Sequence, residues 1–338
     1  MSEQSNAPLR QQDVAEHVEQ LQAVREAIGQ VIVGQSNVID QMLIALLAGG
    51  HSLIEGVPGL GKTLLVRSLA DAMALKFRRI QFTPDLMPSD VIGTEVLEED
   101  QATGRRSFKF QAGPVFANIL LADEINRTPA KTQAALLEAM QEHSVTWSGH
   151  THALPEPFFV LATQNPLEQS GTYALPEAQL DRFLLHIAID YPDAVEEQEV
   201  LARTTSGSSA SISEVINADT VMTLQSLTRQ VHLSDHLLSY ITRIIRATRP
   251  GPDAPKAVSD WLKWGAGPRA GQALILTAKA RALLRGRYAV TRDDLHALVL
   301  PVLRHRLILN FHAEAEQKSV ADVVRALLAA HPAPDDAK

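Results

Sequence analysis

One stretch constrains this chain more than any other. It is Gly56-Val57-Pro58-Gly59-Leu60-Gly61-Lys62-Thr63, set between the apolar pair Leu53-Ile54 and a helical pattern that opens at Leu64. Glycines at these spacings let the backbone turn tightly enough for successive N–H groups to converge on an anion, and a following helix adds the positive end of its dipole. Lys62 is placed to reach the outer phosphates and the Thr63 hydroxyl to hold a magnesium ion. Gly56, Pro58, Gly59, Leu60, Gly61, Lys62, Thr63 and Leu64 are therefore expected to bind ATP with Mg2+. A flexible glycine turn is the competing reading, and the strand before and helix after weigh against it.

The flanking sequence extends this into a parallel α/β sheet. Residues 64–75 place Leu65, Leu69 and Ala72 on one helical face, and residues 77–82 follow as a strand; strand, loop, helix, strand is the opening of such a sheet. Further on, Ile119-Leu120-Leu121-Ala122 reads as a fully buried strand that delivers Asp123 and Glu124 at its C-terminal end, where parallel sheets bind ligands. Asp123 suits magnesium through its water shell, and Glu124 suits polarisation of an attacking water. A third strand, 158–163, ends at Gln164-Asn165-Pro166. Asn165 is either a contact to the γ-phosphate or its water, or a turn-forming residue before proline. Arg182, in Leu180-Asp181-Arg182-Phe183, is either an ion-pair partner of Asp181 or a finger that stabilises transferred charge. Upstream, Ile32 and Val33 lie between helical patterns at 14–31 and 38–47, as an adenine seat or simply as core.

Around these motifs, the prolines of 83–90 are expected to break regular structure. Residues 95–110 read as a hairpin around 102–105 with Arg105, Arg106 and Lys109 near its tip, and 144–151 as a second hairpin. A helix over 129–142 is expected to turn Ala134, Leu137 and Met140 inward. His150 and His152 have no Glu or Cys at metal spacing, which argues against zinc.

The serine-rich segment 204–213 is the best linker, dividing a core (1–205) and linker (206–219) from a helical domain (220–338). There Leu237, Leu238, Ile241, Ile244 and Ile245 form one stripe capped by Ser234, 257–264 reads as a short helix, and longer helices cover 273–284, 295–303 and 320–330. Charge divides at the same place: 14 Lys/Arg against 29 Asp/Glu up to residue 219, net −15, and 17 against 10 beyond it, net +7. Such halves attract within a chain or between neighbours, or merely reflect solvated faces; the acidic first half disfavours broad nucleic-acid binding. No apolar run reaches bilayer-spanning length and residues 1–13 are polar, so a cytoplasmic protein is expected; with no cysteine, thiolate clusters and nucleophiles are excluded.

In order, the phosphate loop, Asp123-Glu124, Asn165, Arg182 and Arg269 resemble the motifs of an AAA+ ATPase. Six stretches resemble the MoxR family more narrowly: residues 81–90, Gly113-Pro114-Val115-Phe116, residues 123–127, 135–140, 162–166 and 180–183. The resemblance implies a RecA-like AAA+ core with a parallel sheet and β-hairpin inserts, then an all-α helical lid, assembled as a homo-oligomeric ring, usually a hexamer. It implies Asn165 as sensor 1, Arg182 as the arginine finger reaching a neighbour's ATP, and Arg269 as sensor 2, acting within the chain or across the interface. Gly267 departs from the serine more common before Pro268-Arg269, which leaves that helix start less well capped. The family implies chaperone-like remodelling of partner complexes, often with a von Willebrand factor A domain protein. A magnesium-chelatase-like subunit, a nucleic-acid-dependent ring ATPase and a nucleotide-sensing scaffold are the rivals.

Overall fold

The computed structural model describes residues 11–99, 106–165, 172–206, 212–252 and 254–333. The expected hairpin tip at 102–105, Pro166 and the centre of the serine-rich segment lie outside these residues. Two helices open the fold, α1 (Gln11–Val31) and α2 (Ser36–Leu47), and then β1 (Ser52–Glu55) feeds the phosphate loop. The chain continues through α3 (Lys62–Ala72), β2 (Phe77–Gln81), α4 (Pro88–Ile92), β3 (Gly93–Glu99), β4 (Arg106–Ala112) and β5 (Ile119–Asp123). After α5 (Ala130–Glu142) come β6 (Ser144–Trp147), β7 (His150–Ala153), β8 (Phe159–Gln164), α6 (Glu177–Leu180), β9 (Leu185–Ala188) and α7 (Ala194–Thr205).

Five strands form one parallel sheet in the order β2-β5-β8-β1-β9. Its register decides where the chemistry falls. Gln81 pairs with Asp123, Ile54 with Thr163 and Glu55 with Gln164, so the C-terminal ends of β1, β2, β5 and β8 share one edge. Interior strands of a parallel sheet are covered on both faces and so are continuously apolar. Accordingly Ile119, Leu120, Leu121 and Ala122 are all buried, with Ile119 and Leu121 on one face and Leu120 and Ala122 on the other.

The two faces have different cover. One meets α4, α5 and the hairpins through Phe82, Val91, Leu136, Leu137, Met140 and Phe183. The other shares a continuous core with α1, α2, α3 and the C-terminal helices. Those helices are α8 (Ala218–Gln230), α9 (Asp235–Ala247), α10 (Lys256–Trp261), α11 (Pro268–Leu284), α12 (Arg292–Leu303), α13 (Phe311–Ala315) and α14 (Val320–Ala330). A two-stranded ribbon, β10 (Leu262–Trp264) with β11 (Ile308–Leu309), interrupts them. Asp40 of α2 ties the layers, forming ion pairs with Arg25 at 2.7 Å and with Arg285, just beyond α11, at 3.3 Å.

Several local expectations are corrected. The proline-rich 83–90 segment starts α4, because Pro88 sits at the first helical position, where its missing N–H is harmless, and Asp90 accepts the Met87 N–H at 2.8 Å. In α5 the inward face runs through Leu136, Leu137, Ala139 and Met140, leaving Ala134 exposed. Tyr240, not Leu238, completes the α9 stripe; Leu238 is 44% exposed, while Ser234 caps the helix by accepting from Leu237 N–H. The helix expected over 257–264 ends at Trp261, since Leu262 and Trp264 pair with β11 instead. α11 begins five residues before Ala273, at Pro268.

Both hairpins form, β3 with β4 and β6 with β7, and they touch: the Phe110 and His152 rings stack at 4.1 Å and the Ser148 hydroxyl donates to Glu95 at 3.1 Å. Arg106 and Lys109 lie along β4, paired with Glu99 at 2.9 Å and Glu98 at 3.2 Å; Arg105 lies outside the described residues. No helix among the described residues is long and apolar enough to cross a membrane.

Candidate nucleotide site

The phosphate loop leaves β1 and enters α3 through two left-handed glycines, Gly59 (φ 88°) and Gly61 (φ 69°). A Cβ at either would meet no atom within 4 Å, so the requirement is conformational and not crowding. Gly61 is also the N-cap of α3, which begins at Lys62, inside the motif. The loop walls a cavity of about 490 Å³ together with the ends of β2, β5 and β8. Pro58, Gly59, Leu60, Gly61, Lys62, Thr63 and Leu64 line it on one side, and Asp123, Glu124 and Asn165 on the other. Gly56 stands behind the lining, where its carbonyl accepts from Lys62; Ile32, which is buried in the core, and Val33 do not line the cavity.

Within the cavity, the charged groups engage one another. Lys62 folds back to donate to the Gly56 and Val57 carbonyls at 2.7 and 2.9 Å. Burial lowers its pKa, and the nearby Asp123 and Glu124 oppose that shift. The Thr163 hydroxyl donates to Asp123 Oδ1 at 2.6 Å and accepts the Glu124 N–H at 2.8 Å, fixing the Asp123 carboxylate and the Glu124 backbone relative to β8. Arg79 covers the other Asp123 oxygen, Oδ2, at 2.6 Å. Glu124 Oε2 accepts from Gln81 at 2.6 Å and Arg127 at 2.9 Å. Its backbone is left-handed (φ 57°, ψ 49°), a conformation costing a non-glycine residue on the order of 1 kcal/mol. The turn is held by the Thr163 contact and by Arg127 N–H on the Glu124 carbonyl, and it swings the side chain off the strand into the cavity.

Arg79, Gln81, Thr163 and Gln164 also line this cavity and were not singled out from the sequence as site residues. A signal was present for two of them. Arg79 and Gln81 share one side of β2 by period-two alternation, and Gln81 ends a strand parallel to that of Asp123.

Arg182 and Arg269 are elsewhere. They line a second cavity, of about 220 Å³, with Asp181 and Arg306. Arg182 donates to the Leu137 carbonyl at 3.0 Å, and Arg269 faces Asp181 Oδ2 at 3.9 Å. A single chain thus keeps its phosphate loop and these two arginines in separate cavities.

Asp123 and Thr63 offer hard oxygen donors to one cavity, the set that magnesium takes, and the Arg79 guanidinium already places a cation against Asp123. The donor chemistry fits Mg2+.

Comparison with known proteins agrees with this architecture. Residues 51–185 match the model of the ATPase family associated with various cellular activities (AAA), and residues 255–327 match an AAA lid domain. Chaperone MoxR1 of Mycobacterium tuberculosis is 42% identical over 316 residues, covering 93% of this chain and 82% of that protein. Protein MoxR of Paracoccus denitrificans is 32% identical, covering 91% and 94%. A crystal structure of a candidate ATPase from Cytophaga hutchinsonii superposes with a TM-score of 0.88 at 41% identity, covering 97% of this chain and 98% of that one. The chain belongs to the MoxR family of AAA+ ATPases, with an ATP-hydrolysing α/β core and a helical lid.

Proposed function

We propose that this chain is a protein remodeller whose ATP sites are completed between neighbouring copies in a homo-oligomeric ring, a hexamer by family resemblance. The observation that carries this reading is the separation of Arg182 and Arg269 from the phosphate-loop cavity. One subunit contributes Gly56 to Leu64, Asp123, Glu124 and Asn165, with the adenine directed toward Ile32 and Val33. Its neighbour contributes Arg182, and Arg269 closes from a lid that moves against the core. On this reading residues 1–205 are the core, 206–219 the linker and 220–338 the lid.

When ATP binds, its phosphates replace the loop carbonyls as partners of Lys62. Thr63 and Asp123 would hold Mg2+, which neutralises charge on the phosphates. Glu124, swung into the cavity by its left-handed backbone and steadied by Gln81 and Arg127, takes a proton from the attacking water. Asn165 orients that water or the γ-phosphate. Arg182 of the neighbour stabilises the transferred charge, a contribution of about 10³-fold or more when an arginine is supplied in trans.

The work done is chaperone-like remodelling of a partner complex in the cytoplasm, with a von Willebrand factor A domain protein as the expected partner. Pairing of Arg106 and Lys109 with Glu99 and Glu98 weakens the nucleic-acid alternative, because it neutralises the hairpin's cations. The test is Glu124→Gln. It should retain ATP binding and lose turnover by about 10³-fold, and the ATP-locked ring should co-purify with the same partner on repeated capture. Normal phosphate release by this variant would refute the assignment of the base.

A further inference from the structure

Arg306 is nearly sealed from solvent, with 3% of its side chain exposed, yet it belongs to neither the phosphate-loop cavity nor any recognised motif. It follows α12 and reaches back into the loop that carries Arg182. Its Nε donates to Asp181 Oδ1 at 2.7 Å, its Nη2 to the Phe183 and Asp181 carbonyls at 2.7 and 3.2 Å, and its Nη1 to the Val302 and Leu184 carbonyls at 2.5 and 3.3 Å. The adjacent His305 donates through Nε2 to the Phe183 carbonyl at 2.9 Å. Two consecutive lid residues therefore grip residues 181, 183 and 184, the backbone on both sides of Arg182. A planar guanidinium with several simultaneous partners fixes orientation as well as distance. Arg182 itself donates to the Leu137 carbonyl, and among the described residues the second Asp181 oxygen faces Arg269, at 3.9 Å.

We infer that Arg306 is a positioning residue for Arg182: through Asp181 and the Phe183 carbonyl it makes the arginine-bearing loop move with the lid of its own subunit. The lid over one nucleotide then sets the placement of the arginine that serves the next. This rests on Arg182 acting in trans, and it predicts an asymmetry that general destabilisation does not produce.

The experiment uses full-length chains in mixed rings. A Lys62→Ala subunit, unable to bind nucleotide, donates its Arg182 to an Arg182→Ala subunit whose own site is intact. Arg306→Gln placed in the Lys62→Ala donor should cut the restored ATPase rate at least tenfold, whereas Arg306→Gln placed in the Arg182→Ala acceptor should change it less than twofold. Arg306→Lys, which keeps the charge and the fold but loses the fork, should show the same asymmetry with a smaller loss, and it carries the test if the Gln variant does not fold. Equal losses on both sides, or none on the donor side, overturn the positioning role. If the parent mixture restores no activity although mixed rings form, the trans reading fails first, and this inference with it.

Discussion

The two arginine-bearing sites of this molecule are built on opposite principles. In the phosphate-loop cavity the polar groups are satisfied by partners that a ligand can displace. Lys62 rests on its own loop carbonyls, and Arg79, 45% exposed, rests on Asp123. Beside Asp181 the lid arginine is itself buried, threaded among five acceptors, four on one short loop and one on its own helix. The first site is arranged to exchange contacts during a cycle. The second is arranged to keep them, so that the loop beside it travels as part of a rigid body. Burial of the arginine decides the difference, 45% exposed at Arg79 against 3% at Arg306: a solvated guanidinium gains little from its partner and re-forms the contact readily, while a buried one is left without compensation when the pair breaks.

Stability measurements can break this comparison. Arg306→Ala should lower the unfolding free energy by about 3 kcal/mol, near the lower limit for a buried pair because Asp181 is 29% exposed. Arg79→Ala should cost less than about 1 kcal/mol. Chemical denaturation of the two variants side by side gives both values, and similar losses would erase the distinction.

The next effect is pH-dependent and belongs to the core that both sites share. Val160 N–H donates to His51 Nδ1 at 3.0 Å, so the ring proton is on Nε2, which donates to the Met140 carbonyl at 3.0 Å. Burial pushes the His51 pKa down to about 4 from its ordinary 6.5, only partly offset by the Met140 contact. The folded form therefore stays neutral while the unfolded chain takes up a proton between those values. The stabilisation is complete above about pH 6.5 and declines as pH falls toward 4, by about 2 kcal/mol between pH 7 and pH 5. Burial shifts His305 in the same direction. In His51→Gln the loss on going from pH 7 to pH 5 should shrink by about 2 kcal/mol, read from denaturation midpoints at the two pH values.

The smallest effect belongs to the helix that carries Arg269 beside the second site. Gly267 caps α11 with extended backbone (φ −86°, ψ 178°) and no side-chain hydrogen bond, and a Cβ there would meet nothing within 4 Å. Gly267→Ser should add a few tenths of a kcal/mol and raise the thermal midpoint slightly. A decrease would show that the start of the Arg269 helix needs glycine for another reason.

What was legible in the sequence follows this same division. The phosphate loop and Asp123-Glu124 are local motifs on strand ends, and a parallel sheet brings strand ends together whatever the details of packing. The α3 face through Leu65, Leu69 and Ala72 was legible for a similar reason, since helical spacing needs no knowledge of a partner. Arg79 was only half legible: its alternation with Gln81 is local, but its pairing with Asp123 depends on β2 lying next to β5. Arg306 gave no signal, because an arginine after an apolar helix reads as a solvated end. Its partners at 181–184 lie more than a hundred residues earlier. The short ribbon of Leu262–Trp264 was hidden likewise, since its partner strand is reached only through α11 and α12.

Mixing Lys62→Ala with Arg182→Ala chains tests the composite site most directly. Each variant alone should be nearly inactive, the first for want of nucleotide and the second for want of the neighbour's arginine. Mixed one to one, random rings place an intact site beside an intact arginine at about a quarter of interfaces, so about a quarter of the wild-type phosphate release should return. Mixed rings that form and remain inactive would contradict a site shared between neighbours.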